Sequence, residues 1–261
     1  MIQKLPLTKA EYREQGIHSD TLELAAKLFR CEGCLYLENI YSPDFIEILH
    51  KAYCKRHQHC FQDKPSNQVY LVGEKRYKIA IELSSPFDSS LLCTHPLILA
   101  VIKHLLGDDV ILASFSSVTS LPSAPDQHRH RDHPMLFGAA IDVIIPCYAI
   151  KLIIPLVKLD NETGTTRMWP GTHLNLDNTK HQDSIDLQVP TGDCILMDYR
   201  LSHQGLANQS KQVRPILYVS YTRPWFQDFK NFKQLEKLKL NKKTTRSLRN
   251  SISFFAKCKK T

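Results

Sequence analysis

No apolar run in this 261-residue chain is both long and charge-free enough to span a bilayer, which takes roughly 20 residues. The opening residues, Met1-Ile2-Gln3-Lys4-Leu5-Pro6, lack the apolar stretch of a secretory signal. We therefore expect a soluble, cytoplasmic protein. Neither a glycine-rich phosphate loop nor an internal repeat is present. The eight cysteines, at 31, 34, 54, 60, 93, 147, 194 and 258, are scattered among apolar neighbours as reduced thiols are, not spaced as a disulfide framework. Cys31-x-x-Cys34 straddles a helix stop at Gly33 and has no second pair at zinc-finger spacing. It reads as structural thiols, and His57-Gln58-His59-Cys60 reads as a loop.

The formal charge of +8 is unevenly placed. Residues 230–261 hold eleven Lys or Arg against one Glu, or +10, which leaves −2 for residues 1–229. We expect two parts, a domain over 1–229 and a basic extension over 230–261. A charge run is more often a solvated face than a binding element. No recognition motif or stacking platform accompanies this one, so contact with nucleic acid or an anionic membrane is the minor reading.

The first part of the domain has helical texture. Leu22, Ala25, Ala26 and Phe29 form a stripe within 19–31, closed by Gly33. A short strand over 34–38 follows. Ser42-Pro43 pairs an N-cap with proline at the first helical position, and Pro96 opens another helix that Gly107 ends. The polar stretch 57–78 yields no assignment. Beyond it, 109–119, 140–145, 148–159, 193–198 and 216–222 are apolar, β-branched runs separated by turn residues. Strands in such number without alternating helices point to an antiparallel sandwich or barrel, with helical support over about 19–107 and a β core over about 109–226.

The densest set of metal-ligand types is Asp126-Gln127-His128-Arg129-His130-Arg131-Asp132-His133. In an extended segment, His128, His130 and Asp132 share one face. His130-x-Asp132 plus one distant histidine makes the two-histidine, one-carboxylate arrangement suited to Fe(II) with open positions. His203, at the end of the strand-like Cys194–Asp198 region and ahead of Gly205, is the candidate. A His128-x-His130 pairing, as in a cupin, is the alternative. Arg214 opens the last strand run, where a cation needs an anion; a chelating 2-oxo acid would offer its distant carboxylate. We expect the turn Asn208-Gln209-Ser210 to join two adjacent strands carrying His203 and Arg214. His133 reads as a pocket residue or one that supports the ligands from behind, and His173 as structural.

These motifs, Gln127-x-x-His130-x-Asp132, the turn from Asn161 to His173 containing Thr163-Gly164-Thr165-Thr166, and His203 followed by Arg214-Pro215, resemble the phytanoyl-CoA dioxygenase family of Fe(II)/2-oxoglutarate oxygenases. The resemblance covers about 20–226. It implies a double-stranded β-helix (jelly-roll) core of mainly β or α+β class. His130, Asp132 and His203 would hold iron, Arg214 the 2-oxoglutarate C5 carboxylate, and Gln127 and Thr166 further parts of the cosubstrate. It also implies O2 and a small-molecule or lipid-derived substrate, oxidised as 2-oxoglutarate is decarboxylated to succinate and CO2, with ascorbate as reductant. Asp132 favours hydroxylation or a related oxidation, because iron halogenases of similar fold lack this carboxylate. In two places the pattern departs. Gly205 stands where some members have serine, and the upstream basic contact is either Arg76 or Lys78. Substrate-setting residues are expected in 61–90, 134–140 and the C-terminal segment.

Overall fold

Side chains alternate across a strand, and in this chain the alternation builds two cores on opposite faces of one sheet. The computed structural model describes residues 2–61, 69–175 and 183–228; the basic extension lies outside them. In chain order the elements are α1 (Lys9–Glu14), α2 (Ser19–Glu32), β1 (Cys34–Leu37), α3 (Pro43–His57), β2 (Val69–Gly73) and β3 (Arg76–Ala80). Then come α4 (Ser90–Cys93), α5 (Pro96–Leu106), β4 (Ile111–Ser120), α6 (Ala139–Asp142), β5 (Ala149–Pro155) and β6 (Thr166–Met168). The remaining strands are β7 (Ile185–Asp186), β8 (Cys194–Asp198), β9 (His203–Gly205) and β10 (Arg214–Thr222).

A seven-stranded sheet runs β1-β8-β5-β10-β4-β3-β2 and a three-stranded sheet runs β7-β6-β9, with antiparallel pairing in both. On β10, Leu217, Val219 and Tyr221 join Phe29 of α2, Leu49 of α3 and Val101 of α5 in the larger core. Ile216 points the other way, joining Ile153, Ile195, Met168 and Leu187 in a smaller core that draws on both sheets. Ionic side chains share this inner face, so the cavity opens there. This is the jelly-roll architecture expected.

The helix signals act locally as the sequence predicts. Ser42 Oγ accepts the Phe45 N–H at 3.2 Å and Pro43 follows it. Gly33 ends α2 with φ 76°, a conformation that favours glycine. A Cβ there would also lie 2.5 Å from Nδ1 of His173. His173 is buried, with Nε2 3.1 Å from the Arg30 carbonyl, and so ties the 169–173 turn to the end of α2, the structural role expected. All seven described cysteines are free thiols.

Several expectations need correction. Residues 140–145 are not a strand. Asp142 accepts the backbone N–H groups of Leu136, Phe137 and Gly138 at 2.9, 2.8 and 2.8 Å, which curls the chain into α6. The segment His57–Cys60 is no loop, since α3 runs to His57 and a 3-10 turn covers Gln58–Phe61. The unassigned stretch contains β2 and the start of β3. Helix α1 was not expected, although Thr8 and Glu11 form a reciprocal capping box whose spacing is a sequence signal. β9 and β10 lie in different sheets, so the turn through Asn208 crosses between sheets.

Candidate metal centre

His130 and His203 face each other across an isolated antiparallel bridge. Their backbones exchange both hydrogen bonds, His130 N to His203 O at 3.0 Å and His203 N to His130 O at 2.9 Å, and the ring centroids are 4.4 Å apart. Two residues on, Asp132 N donates to Tyr199 O at 3.1 Å, bringing its carboxylate to 3.9 Å from His203 Nε2. One ligand atom from each of His130, Asp132 and His203 lies within 4.8 Å of the others. Beyond the single bridge at His130, the segment 126–133 forms no regular strand. His128 is exposed and lies outside this cluster, its ring tilted against that of His130 with centroids 5.4 Å apart. Arg129 turns onto the Trp169 ring at 4.4 Å, and Arg131 donates to Arg200 O at 2.9 Å. His133 packs edge-on against Phe226 and does not line the cavity.

The electrostatics prepare these groups for a cation. Burial holds both imidazoles below their ordinary pKa, His203 down to about 4, so both are neutral at pH 7. His130 Nδ1 faces the His128 carbonyl at 2.9 Å and His203 Nδ1 the Leu201 carbonyl at 3.1 Å. A carbonyl only accepts, so each Nδ1 carries the proton and each Nε2 keeps its lone pair. Burial works against the charge of Asp132, but the Lys151 ammonium 2.6 Å away outweighs it and holds the carboxyl well below the usual range. Two neutral nitrogens and one anionic oxygen are a donor set that fits Fe(II).

Beside this cluster is a cationic end of the cavity. Arg76 of β3, Ser120 of β4 and Arg214 of β10 are in register across three neighbouring strands. Both guanidiniums donate to the one Ser120 hydroxyl, Arg76 Nη1 at 2.5 Å and Arg214 Nη2 at 2.7 Å. The arginines are only 1% and 2% exposed, and among the described residues neither forms an ion pair with a carboxylate. Arg76 is tied down further by the carbonyls of Pro125 and Leu206, both at 2.7 Å. Among the described residues Arg214 Nε is buried without a hydrogen-bond partner, and burial together with the Arg76 cation lowers the Arg214 pKa to about 10. Buried, mutually repelling cations fit an anion.

Gln127, Thr166 and Lys78 also line this cavity of about 310 Å³. Burial is the main influence lowering the Lys78 pKa, to about 8, with Lys151 adding to it. Sequence reasoning missed Ser120, Tyr218 and Lys151. Lys151 Nζ lies 2.6 Å from Asp132 Oδ1 and over the rings of Tyr199 and Tyr218 at 5.2 and 5.1 Å. A lone lysine inside the apolar run of β5 was the available signal. Gly205 also finds its reason here. A Cβ would lie 2.5 Å from Gln127 Oε1 and 3.0 Å from Arg76 Nη1, so these side chains fill the space a serine would need.

The chain is 29% identical over 210 residues to dioxygenase trt7 of Aspergillus terreus, covering 75% of this chain and 71% of that protein. It is 27% identical to the iron/alpha-ketoglutarate-dependent dioxygenase ausO of Aspergillus calidoustus, over 66% of this chain and 60% of that one. The solved structure of the epimerase SnoN in complex with Fe3+, alpha ketoglutarate and nogalamycin RO shares the fold, with TM-score 0.63 at 16% identity over 84% of this chain and 91% of that chain. The family model for phytanoyl-CoA dioxygenase (PhyH) matches residues 29–216, a span that holds the His130, Asp132 and His203 cluster together with Arg76 and Arg214, and the chain belongs to that family.

Proposed function

We propose that this protein is an Fe(II)- and 2-oxoglutarate-dependent dioxygenase that hydroxylates a small-molecule or lipid-derived substrate. The observation that carries the reading is the juxtaposition in one cavity of a two-histidine, one-carboxylate cluster with two buried arginines that pair with no carboxylate among the described residues. In this reading His130, Asp132 and His203 hold the iron and Arg214 takes the C5 carboxylate of 2-oxoglutarate. Gln127 and Thr166 contact the rest of the cosubstrate. Bound iron supplies O2 activation coupled to decarboxylation of 2-oxoglutarate, and ascorbate keeps it ferrous. The protein's share is orientation and exclusion of side reactions. Lys151 fixes the Asp132 carboxylate, and Arg76 braces β3 against the 205–206 backbone. Residues 1–229 form the catalytic unit and 230–261 an extension.

Succinate formation from 2-oxoglutarate in air should require added Fe(II), and a chelator should remove it. Formation that persists in metal-free protein would refute the reading. A finer test is Gly205→Ser. The new side chain must displace the Gln127 carboxamide, losing about one neutral hydrogen bond, which predicts three- to tenfold weaker 2-oxoglutarate binding at unchanged iron affinity. Unchanged cosubstrate affinity would remove Gln127 from the cosubstrate site.

A further inference from the structure

The cavity carries more positive charge than iron and 2-oxoglutarate explain. Among the described residues its walls include Arg76, Lys78, Arg131, Lys151 and Arg214 against one carboxylate, that of Asp132. Arg131 is turned to backbone, donating to the carbonyls of Arg200 and Thr172 at 2.9 and 3.2 Å. With Arg131 set aside and both histidines neutral, four cations face one anion, a surplus of three. Binding Fe(II) adds two positive charges and binding 2-oxoglutarate removes two, so the surplus stays at three. Asp228 lies close enough to act on Lys78, and counting it still leaves two. Positive charge gathered in a space of about 310 Å³ is stabilised by an anion.

Strand register separates the two lysines from the arginines assigned to the cosubstrate. Two residues along from the row of Arg76, Ser120 and Arg214 comes the row of Lys78, Val118 and Ile216. Lys151 pairs with Ser220, six residues along β10 from Arg214, or roughly 20 Å of strand. Its ammonium reaches back over the Tyr218 ring to Asp132 Oδ1 at 2.6 Å. A 2-oxoglutarate chelated through its 2-oxo acid group and held at C5 by Arg214 has both carboxylates engaged, and none is left for the lysines. The wall beside them is polar too, since Ser116 and Ser220 line it and Ser220 Oγ lies 2.7 Å from Tyr199 Oη. A wholly apolar substrate would strip water from these groups without replacing its hydrogen bonds.

We propose that the substrate is an acid, a small molecule whose carboxylate or phosphate is received by Lys78 and Lys151. The inference rests on the oxygenase reading and narrows its substrate class to anions. An ammonium on a flexible four-carbon stem acts as a point charge and accepts either oxyanion geometry, so the two lysines select for charge and not for the planar shape of a carboxylate.

The test uses the full chain loaded with Fe(II) and saturating 2-oxoglutarate in the absence of O2. Hexanoate, hexyl phosphate, hexanamide and hexylamine share a tail and differ in head group. Their binding is followed by calorimetry, while the visible band of the iron chelate reports whether 2-oxoglutarate stays in place. At least one of the two acids is expected to bind about tenfold or more tightly than hexanamide, the range for a hydrogen bond to a charged group, with hexylamine weakest and the band retained. The tighter acid identifies the head group. Lys78→Met and Lys151→Met should each bring the acids close to hexanamide, with melting temperature as the folding control. Lys78→Arg and Lys151→Arg, which keep the charge, should retain the preference and decide the matter if a methionine variant melts early. The proposal is overturned if hexanamide binds as tightly as both acids, if neither acid binds, or if the methionine variants keep the preference. It is equally overturned if the acids bleach the band, because they would then occupy the Arg214 site. A band with no preference for acids sinks this inference alone, whereas a missing band with iron bound refutes the oxygenase reading and this inference with it.

Discussion

Replacing His130 or Asp132 with alanine should abolish Fe(II) binding and turnover together. Three protein atoms form the cluster, so each substitution removes a third of the donors. Losing a group that only orients a ligand already costs about 10- to 100-fold in metal affinity, and losing a ligand should cost more. The two variants differ in a second respect. His130→Ala leaves the backbone exchange with His203 intact and should fold normally. Asp132→Ala also strips Lys151 of its counter-charge at 2.6 Å, leaving a largely buried ammonium beside the position meant for a dication, which should lower the melting temperature as well. Iron titration followed by calorimetry, with thermal melting as the folding control, reads both effects. Full activity in either variant would remove that residue from the centre.

Arg214→Ala should leave iron affinity unchanged and weaken 2-oxoglutarate binding by about a hundredfold or more, the range for truncating one partner of a buried, hydrogen-bonded charge pair. Its lowered pKa, about 10, still leaves the guanidinium charged at neutral pH. The substitution relieves repulsion with Arg76, so the empty protein should not be destabilised by loss of the charge itself. Arg214→Lys should recover only part of the affinity, because an ammonium cannot make the two parallel bonds of a guanidinium. An equal loss of iron and cosubstrate binding in Arg214→Ala would instead mean that the residue serves the fold.

What the sequence disclosed here was chemistry that is local or unusual for its setting. Three imidazoles and two carboxylates within eight residues stand out at once, as does an arginine opening an apolar strand. Capping residues announced α2, α3 and α5 in the same way. Arg76 stayed undecided against Lys78 because its significance depends on register. Only the pairing of β3, β4 and β10 sets Arg76 beside Ser120 and Arg214. Lys151 was hidden by the reading of its run as uniformly apolar. Residues 140–145 misled through composition, since Ile and Val favour strands, while the force that bends the segment comes from Asp142 and from Arg200 58 residues away. Gly205 looked like a departure until the Gln127 and Arg76 side chains were seen to occupy its space.

In the proposed function, His130, Asp132 and His203 hold iron next to an arginine that receives 2-oxoglutarate. An anaerobic titration of Fe(II)-loaded protein with 2-oxoglutarate tests it most directly, because a 2-oxo acid chelated to the iron produces a visible charge-transfer band. The expected result is a band that saturates in the wild type and needs about a hundredfold more cosubstrate in Arg214→Ala. Iron that stays bound while no band forms at any concentration would contradict the account and leave a metal-binding barrel that does not use 2-oxoglutarate.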